Sequence, residues 1–456
     1  SEAQFWDSLA YLSPNYVIVK ASGNNRNETG PAVGTNYWRF NASGAMADAG
    51  ARPEGISNQD GYDNLPTYST AKNILTVGNI VAIPKGYAKP SDVVLNSSSS
   101  VGPTDDGRIK PDIVANGTSI TSTYTGGVNA YATLSGSSMA APTITGSVVL
   151  LHELFLRKTE STAWSSTIRG LVIHSAKRAS SNPGPNYMHG WGVPDFGEAG
   201  QIIDNTNDNL IQQRTLSNGT KYSVSVIASG KSPLKVSICW NDPPGAVASG
   251  TPLNDRTKKL VHDLDVRVIK GSRTYLPWKL EPTIPAFPAT KGDNDLDNIE
   301  VIELDSTIAG ETYTIEVTHK GTLTRAGTQT FSLIATGVGG KTYTSSAASS
   351  SSGSKIDSVS IGGLNIANSA GCKTYSDFRQ FKASVEAGQT IPFFIKSGSC
   401  DASNANRFAK IFIDLNSDGD FNDAGETVAT SAAITNNGTF TGTIDIPTSV
   451  MVGSML

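Results

Sequence analysis

Apolar positions change their spacing along the chain, and the first part has the spacing of mixed helices and strands. Ser1–Leu12 and Thr167–Ala176 have apolar side chains at helical spacing, and the run Ile144–Leu156 is apolar around most of its circumference. Tyr16–Val19 is a short continuous apolar run within Tyr16–Lys20, which is typical of a strand buried on both faces. The pattern predicts an α/β domain over 1–204, with the helix at Ile144–Leu156 buried on most sides.

Beyond about Gln212 the apolar residues alternate with polar ones over short runs that are separated by turn residues. A period of two predicts antiparallel strands with one apolar face, as in a β-sandwich. We therefore assign 205–338 to a first all-β sandwich module. The runs are Lys221–Val226, Leu234–Trp240, Leu264–Ile269, Ile299–Leu304 and Tyr313–Val317.

A serine-rich stretch separates this module from the last part of the chain. Residues 339–354 contain Ser349–Ser352 and are predicted to form a flexible linker. Ile356–Ile361 and Ala409–Ile413 are predicted strands of a second all-β sandwich over 355–456, which we expect to be truncated at the end of the chain.

The overall charge narrows the range of partners. The 456 residues include 36 Lys and Arg against 40 Asp and Glu, a net charge of −4 that is spread along the chain. Without a basic stripe, neither nucleic acid nor an anionic membrane surface is indicated, and no transmembrane segment is predicted. Since the chain opens at Ser1 with neither an initiator Met nor a secretory signal, we treat residue 1 as an internal cut in an exported protein.

One segment carries the strongest chemical signal. Ser135-Gly-Ser-Ser-Met-Ala-Ala-Pro142 precedes the apolar helix, and its small residues allow a tight turn that presents one hydroxyl. Pro142 is expected in the first helical turn, and the partial positive charge of the helix N-terminus points at Ser138. The segment resembles the Gly-Thr-Ser-Met-Ala-x-Pro signature of subtilisin-family serine proteases, with Ser137 in place of Thr. The resemblance implies that Ser138 is the nucleophile, and the alternative is that small residues merely permit close helix packing.

A second segment of the same family lies upstream. Tyr16–Lys20 is followed by Ser22-Gly23, which leaves Asn24 past the carboxyl end of the strand, where α/β folds keep their chemistry. This order, a strand followed by Gly23 and Asn24, resembles the segment of subtilisins that carries the oxyanion-hole asparagine. The resemblance implies that Asn24 and the Ser138 backbone N–H bind the oxyanion, and that Ser22 and Gly23 bind substrate. Ordinary Gly-Asn turn chemistry is the alternative.

A serine nucleophile needs a histidine and a carboxylate, and subtilisins have both upstream of the oxyanion asparagine. The 23 residues before Asn24 contain no histidine, and Asp7 lacks the Asp-(Ser/Thr)-Gly turn expected of the triad carboxylate. We therefore expect the catalytic Asp and His in a preceding segment, either a separate polypeptide after a processing cut or sequence missing from this chain. All five histidines follow Ser138: His152, His174, His189, His262 and His319.

Two further resemblances concern the β modules. Val236–Asp242 and His262–Val266 resemble the jelly-roll domain that follows the catalytic domain in one branch of alkaline subtilisin-like proteases. Asp414–Glu426 resembles the acidic hairpin of GEVED-type β-sandwich domains, which occur on secreted bacterial proteins.

The acidic hairpin is also a candidate calcium site. Oxygen-bearing side chains recur at alternate positions, with a glycine at the bend, and together they could supply the six or more oxygens that Ca²⁺ needs. A solvated acidic turn is the alternative. The candidate ligands are Asp414, Asn416, Asp418, Asp420 and Glu426.

The cysteines fit an exported protein. Cys372 and Cys400 lie in the second β module and are expected to form a disulfide if the protein is secreted. Cys239 lies in an alternating strand and is expected to be a buried free thiol.

Together these features predict a secreted subtilisin-like serine endopeptidase that forms an acyl-enzyme on Ser138. Its expected partners are polypeptide substrates and an N-terminal fragment of the same precursor, and its expected cofactor is structural Ca²⁺. The alternative is a non-catalytic surface or adhesion protein that retains a subtilase scaffold. A calcium-dependent carbohydrate-binding protein is a third hypothesis, but no clustered aromatic residues in the sequence mark a sugar platform.

Overall fold

The computed structural model covers the whole chain, and it describes every residue except 29, 42, 54–60, 248–254, 344–345, 368–370, 380, 402–404, 417–418, 436 and 451–456. By internal contacts the chain forms two compact units. The first comprises Ser1–Ser225, Lys235–Glu303 and Thr314–Thr336, and the second comprises Val226–Leu234, Leu304–Tyr313 and Gly337–Leu456. The domain boundaries placed after residues 204, 338 and 354 remain predictions.

The first 204 residues contain the four described α-helices, two short 3₁₀ helices (Thr67–Ser69 and Pro90–Asp92) and seven strands. In chain order the α-helices and strands are α1 (Glu2–Leu12), β1 (Val19–Ala21), β2 (Asn36–Phe40), β3 (Met46–Ala51), β4 (Leu75–Ile80), β5 (Ile113–Asn116), β6 (Ile120–Thr123), β7 (Tyr131–Leu134), α2 (Ser137–Thr159), α3 (Ser165–His174) and α4 (Phe196–Asp204).

A parallel three-stranded sheet forms the centre of this region. Its strand order is β1-β4-β5, and α2 packs against all three strands. β4 is buried along its whole length, which its position in the middle of a helix-covered parallel sheet requires. The predicted α/β arrangement is therefore confirmed for this region, and the turn that carries Ser138 stands at the N-terminus of α2.

Two expectations about α2 are wrong. Pro142 is the sixth residue of the helix rather than part of its first turn, so the carbonyl of Ser138 lacks the N–H that would normally bond to it. The helix is also buried on one side only. Ile144, Val148, Leu151 and Phe155 lie in the core, at the spacing of a single helical face.

The other side of α2 is apolar and exposed. Val149 is 59% exposed, Leu150 65% and Leu156 52%, although the sequence pattern predicted burial for this face as well. Among the described residues, α2 is the one helix long and apolar enough to cross a membrane, by length and composition alone. Because the buried face of α2 packs on the parallel sheet, its length and apolar composition are weak support for a membrane role.

Residues 209–336 form antiparallel sheets. One four-stranded sheet has the order β15-β10-β17-β8 and another the order β12-β11-β16-β9, while β13 pairs with β14. The strands are β8 (Asn209–Ser217), β9 (Tyr222–Ile227), β10 (Leu234–Trp240), β11 (Asp263–Lys270), β12 (Arg273–Tyr275), β13 (Trp278–Lys279), β14 (Thr290–Lys291), β15 (Ile299–Leu304), β16 (Thr312–Lys320) and β17 (Thr328–Thr336). Buried and less buried side chains alternate along β16, as the predicted period of two requires. The jelly-roll assignment remains a prediction.

The last part of the chain contains one four-stranded sheet and one hairpin. The sheet order is β19-β18-β20-β23, and β21 pairs with β22 on either side of the acidic loop. Cys372 and Cys400 form the predicted disulfide, and Cys239 is a buried free thiol. The strands are β18 (Ser354–Ile361), β19 (Leu364–Ala367), β20 (Thr390–Ser399), β21 (Lys410–Phe412), β22 (Thr427–Thr430) and β23 (Thr439–Asp445).

Within the first unit, a buried set of polar side chains joins the α/β region to the strands that follow it. Lys72 Nζ lies 3.0 Å from Asp242 Oδ2 and 3.7 Å from Asp7 Oδ2. Asn73 Nδ2 donates to the Asp242 carbonyl at 2.7 Å, and Arg169 Nη2 donates to the last carbonyl of β10 at 2.8 Å. Burial raises the pKa of Asp242, an effect that Lys72 partly offsets. We call these five residues the polar junction.

Candidate active site

Ser138 stands in the first turn of α2 with its side chain exposed. Neither its hydroxyl nor its backbone N–H makes a hydrogen bond with any residue that the structure describes. The N–H is one of the helix N–H groups that have no partner within the helix, and no acidic residue stands in the first turn to compensate the helix dipole. Ser138 therefore offers a free hydroxyl beside a free donor.

Ser137 ties the start of α2 to the segment after β1. Its N–H donates to Asn24 Oδ1 at 2.9 Å, and its hydroxyl lies 3.0 Å from the Gly23 carbonyl and 3.1 Å from the Gly23 N–H. Because Oδ1 is the acceptor, Nδ2 of Asn24 is left as a donor with no partner in the described part of the chain. The structure thus brings the predicted pair, Ser138 and Asn24, to one edge of the parallel sheet.

Two glycines make this close approach possible. A Cβ on Gly117 would lie 2.5 Å from the Gly136 carbonyl oxygen and 2.8 Å from the Ala140 backbone nitrogen, so only glycine fits beside the turn. Gly23 has φ +102°, a conformation that side chains disfavour. The sequence pattern predicted no role for Ser137 or Gly117 at this site. The signals available were the hydroxyl residue directly before the nucleophile and the glycine that follows β5.

The substrate-binding role predicted for Ser22 and Gly23 has no support in the described contacts. Ser22 is fully buried, and its hydroxyl lies near the hydroxyl of Ser99 and the Gly23 carbonyl. The Gly23 carbonyl accepts hydrogen bonds from the Ser137 hydroxyl and from the Ser100 N–H. These groups hold the fold together, and a contact with substrate stays a prediction.

Two histidines follow Ser138 on helices. His152 lies 14 positions after Ser138 on the same helix, which separates them by about 21 Å along the axis. Burial lowers the pKa of His152. His174 is fully buried, with Nδ1 2.8 Å from Ser237 Oγ and Nε2 3.0 Å from Thr336 Oγ1, and burial holds its pKa well below the ordinary value. The ring of His174 therefore joins α3 to the strands β10 and β17.

The other three histidines are also engaged away from Ser138. His189 Nδ1 lies 3.1 Å from Asn186 Oδ1, and burial lowers the pKa of His189 to about 4. His262 is fully buried, with Nδ1 2.6 Å from Gln329 Oε1. His319 Nε2 accepts a backbone N–H from the turn after β8 at 2.9 Å. No described contact joins a histidine ring to Ser138.

Asp7 belongs to the polar junction. Its Oδ1 accepts the Asn73 N–H at 2.9 Å, and its carboxylate is buried near Lys72. This carboxylate therefore stabilises packing, which agrees with the decision not to assign it to the triad. The structure brings Ser138 and Asn24 to one edge, but no described contact places a histidine or a carboxylate beside them.

The acidic loop after β21 is closed by its own hydrogen bonds. Asp414 Oδ2 accepts from the Tyr343 hydroxyl at 2.7 Å and from the Gly419 N–H at 3.0 Å. Glu426 Oε1 accepts the Leu415 N–H at 3.0 Å, and both carboxylates are buried. The buried oxygens therefore already have N–H and O–H partners.

The remaining candidate calcium ligands face other parts of the loop. Asn416 Nδ2 donates to Asp423, and Asp420 Oδ1 accepts the Asn422 N–H at 2.8 Å. Asp418 lies outside the described residues. Among the described residues, no group of three or more His, Cys, Asp or Glu side chains is arranged to hold a metal ion. Calcium binding by this loop stays a prediction.

Comparison with known protein families identifies two regions of the chain. Residues 4–192 match the model of the Subtilase family (peptidase S8), and residues 408–456 match the model of the GEVED domain. Both matches agree with the resemblances found in the sequence.

Curated relatives are similar over parts of their length. The serine protease/ABC transporter B family protein tagD of Dictyostelium discoideum is 23% identical over 405 residues, which covers 65% of this chain and 22% of tagD. The C5a peptidase of Streptococcus pyogenes serotype M3 is 40% identical over 100 residues, which covers 22% of this chain and 8% of the peptidase. The chain thus spans less than a quarter of either relative.

Among solved structures, the self-cleaved protease domain of PatA is 20% identical with a TM-score of 0.30, covering 44% of this chain and 54% of that one. A score of this size establishes no shared overall fold. The family match rests instead on the sequence of residues 4–192 and agrees with the placement of Ser138. Residues 4–192 are thus similar to the serine proteases of the Subtilase family.

Proposed function

We propose that this chain is the nucleophile-bearing part of a secreted subtilisin-like serine endopeptidase. One observation carries the proposal: the Ser138 hydroxyl and Asn24 Nδ2 are exposed at one edge and have no described partner, whereas the adjacent Ser137 and Gly23 are fully engaged. A nucleophile and an oxyanion donor need hydrogen-bonding groups that are free of partners and held in place by their neighbours.

In the proposed reaction, Ser138 Oγ attacks the scissile carbonyl and its proton passes to a histidine. The oxyanion that forms accepts hydrogen bonds from Asn24 Nδ2 and the Ser138 N–H. The peptide C–N bond then breaks as the histidine returns the proton to the leaving amine. Water hydrolyses the ester on Ser138 and regenerates the hydroxyl.

We also propose that the histidine and its carboxylate come from a segment upstream of Ser1. Two surfaces support this. The exposed side of α2 presents Val149, Leu150 and Leu156, an apolar face that a further segment would bury. β1 is the end strand of the parallel sheet and adjoins α2, so one edge of β1 is available to another strand. Secretion is supported by the Cys372–Cys400 disulfide, since disulfides persist in oxidising compartments.

The test is labelling with a fluorophosphonate probe, which reacts only with an activated serine. The chain is produced alone and together with the polypeptide encoded immediately upstream. We expect labelling of Ser138, located by peptide mass spectrometry, only when both are present. Ser138→Ala should abolish labelling, whereas Ser147→Ala on the same helix should leave it unchanged.

The contrary outcome is also informative. If the two polypeptides co-purify as a folded complex and Ser138 stays unlabelled, the peptidase proposal is wrong. The non-catalytic surface protein with a subtilase scaffold would then be the better hypothesis.

A further inference from the structure

The last part of the chain contains a cavity outside the candidate active site. Its volume is about 460 Å³, within the roughly 300–1,000 Å³ typical of small-molecule sites. The wall is formed by β18, β20, the start of β21 and the segment 373–378, all within the second unit. We propose that this cavity, the basic cleft, binds oligosaccharides that carry carboxylate groups.

The charge of the basic cleft differs from that of the chain. Lys355, Lys373, Arg407 and Lys410 line it, and its described lining residues include no Asp or Glu. Lys355 Nζ has Asp357 at 3.1 Å, whereas Lys373 and Lys410 are exposed to solvent. In a chain of net charge −4, this local excess of cations favours an anionic ligand.

Aromatic rings stand beside these cations. Tyr375 is 52% exposed and Phe408 72%, while Phe378 is partly buried and lies 6.2 Å from the ring of Phe381. Large rings left in water at a cleft mark a surface that gains free energy when it is covered. The negative ring face packs well against polarised C–H groups, which one face of a pyranose ring presents. Cations beside exposed rings therefore match a sugar that carries a carboxylate.

The backbone of the cleft favours a saccharide over an extended peptide. β18 is paired on both sides, with β19 and β20, and β20 is paired with β18 and β23. Peptides that bind by strand addition need a free sheet edge, which these two central strands do not offer. β21 is paired on one side only, with β22, but it contributes just its first residue, Lys410, to the cleft. Along β18 and β20 recognition therefore falls to side chains, and hydroxyl groups can donate and accept hydrogen bonds with a sugar. The lining hydroxyls are Ser354, Ser358, Thr374, Ser376 and Ser397.

The segment that carries Lys373 and Tyr375 is held in place before any ligand binds. The Cys372–Cys400 disulfide ties its start to the end of β20, with the two Cα atoms 5.9 Å apart. Beyond its end, Arg379 Nη2 lies 2.6 Å from Glu311 Oε1. A wall fixed at both ends loses little conformational entropy on binding, which favours affinity.

The test is calorimetry on the whole chain with short oligogalacturonates as the acidic probe and cello-oligosaccharides of equal length as the neutral one. We expect the acidic probe to bind, more weakly as salt rises, and the neutral probe to bind at least about tenfold more weakly. Lys373→Gln combined with Lys410→Gln should reduce affinity about tenfold or more, and Phe408→Ala should do likewise.

Matched controls come from the same module. Lys396→Gln and Phe412→Ala change an exposed lysine and an exposed aromatic ring that do not line the cleft, so affinity should not change. Circular dichroism confirms that each variant is folded. The proposal is overturned if neither probe binds, if the neutral probe binds equally well, or if oligoglutamate of similar length binds as tightly as the oligogalacturonate. The last result would assign the cleft to acidic peptides.

Discussion

Two polar regions of the first unit use their hydrogen-bonding side chains in opposite ways. In the polar junction, Lys72 and Asp242 are buried and paired at 3.0 Å. At the edge that holds Ser138 and Asn24, the exposed Ser138 hydroxyl and Asn24 Nδ2 have no partner among the described residues, and Ser137 makes hydrogen bonds that connect the two segments. Groups that react with a substrate must be free to form hydrogen bonds with it. Groups that stabilise the fold must already have their hydrogen bonds formed within the protein. Changes at the edge should therefore affect activity, and changes at the junction should affect folding.

The largest expected effect comes from Asn24→Asp in the active complex. Aspartate keeps an oxygen that accepts the Ser137 N–H but loses the Nδ2 donor, so the turn should hold while the oxyanion loses one hydrogen bond. We expect kcat to fall by about 10² to 10³, with the melting temperature nearly unchanged. Ser137→Thr keeps a hydroxyl in the same place and serves as the control. Equal activity of Asn24→Asp and the parent would remove Asn24 from the oxyanion hole.

The second prediction addresses the polar junction. Lys72→Met leaves the buried Asp242 and Asp7 carboxylates without their cation, and breaking a buried pair costs about 3–5 kcal/mol. Activity per folded molecule should not change. Lys158→Met removes the exposed pair with Asp204, and we expect it to cost less than about 1 kcal/mol in the same denaturant titration. Similar losses for both variants would contradict the distinction between the two kinds of pair.

Much of the α/β region could be predicted because its signals are local. The small residues around Ser138 lie at the N-terminus of α2, as expected. The strand before Asn24 is present but spans only Val19–Ala21 and is half-buried, whereas burial on both faces was expected, and Tyr16 is exposed. The link between them could not be predicted, since Ser137 and Asn24 are 113 positions apart and meet only when β1 and α2 pack. The sequence also could not say which apolar face of α2 would be covered, because periodicity records hydrophobicity and not neighbours.

The last part of the chain illustrates the same limit. The β21–β22 hairpin and the disulfide followed from residue types, and both are present. The basic cleft could not be predicted, because Tyr375 and Phe408 are far apart in sequence and line one cavity only in the folded module. A search for clustered aromatic residues along the chain misses clusters of this kind.

A pH-dependent effect is expected from Asp297, which is buried and accepts the Ile109 N–H at 2.8 Å. Burial raises the pKa of Asp297 to about 6, although Arg108 opposes this and Asp106 adds to it. Since the folded state holds its proton more tightly than the unfolded state, with an ordinary aspartate pKa of about 3.9, folding loses stability as pH rises from about 4 to about 6.

Asp297→Asn removes this titration. Relative to the parent, the variant should gain up to about 3 kcal/mol in free energy of unfolding between about pH 4 and about pH 7. The comparison uses urea titrations at several pH values, with the exposed Asp305→Asn as the control. A constant difference between Asp297→Asn and the parent across this range would show that Asp297 does not titrate there.

The smallest expected effect concerns the acidic loop, where buried carboxylates are already engaged as in the polar junction. Asp414 and Glu426 accept hydrogen bonds from the Tyr343 hydroxyl and from backbone N–H groups, so the described contacts can close the loop without a cation. If these contacts alone close the loop, chelation by EGTA or addition of millimolar Ca²⁺ should move the melting temperature by no more than about 1 °C. A ligand that binds only the folded state, at a concentration 100 times its Kd, adds about 2.7 kcal/mol to the free energy of unfolding. A tightly bound ion would therefore raise the melting temperature measurably. A rise of several degrees with Ca²⁺, lost in Asp414→Asn, would establish the predicted calcium site.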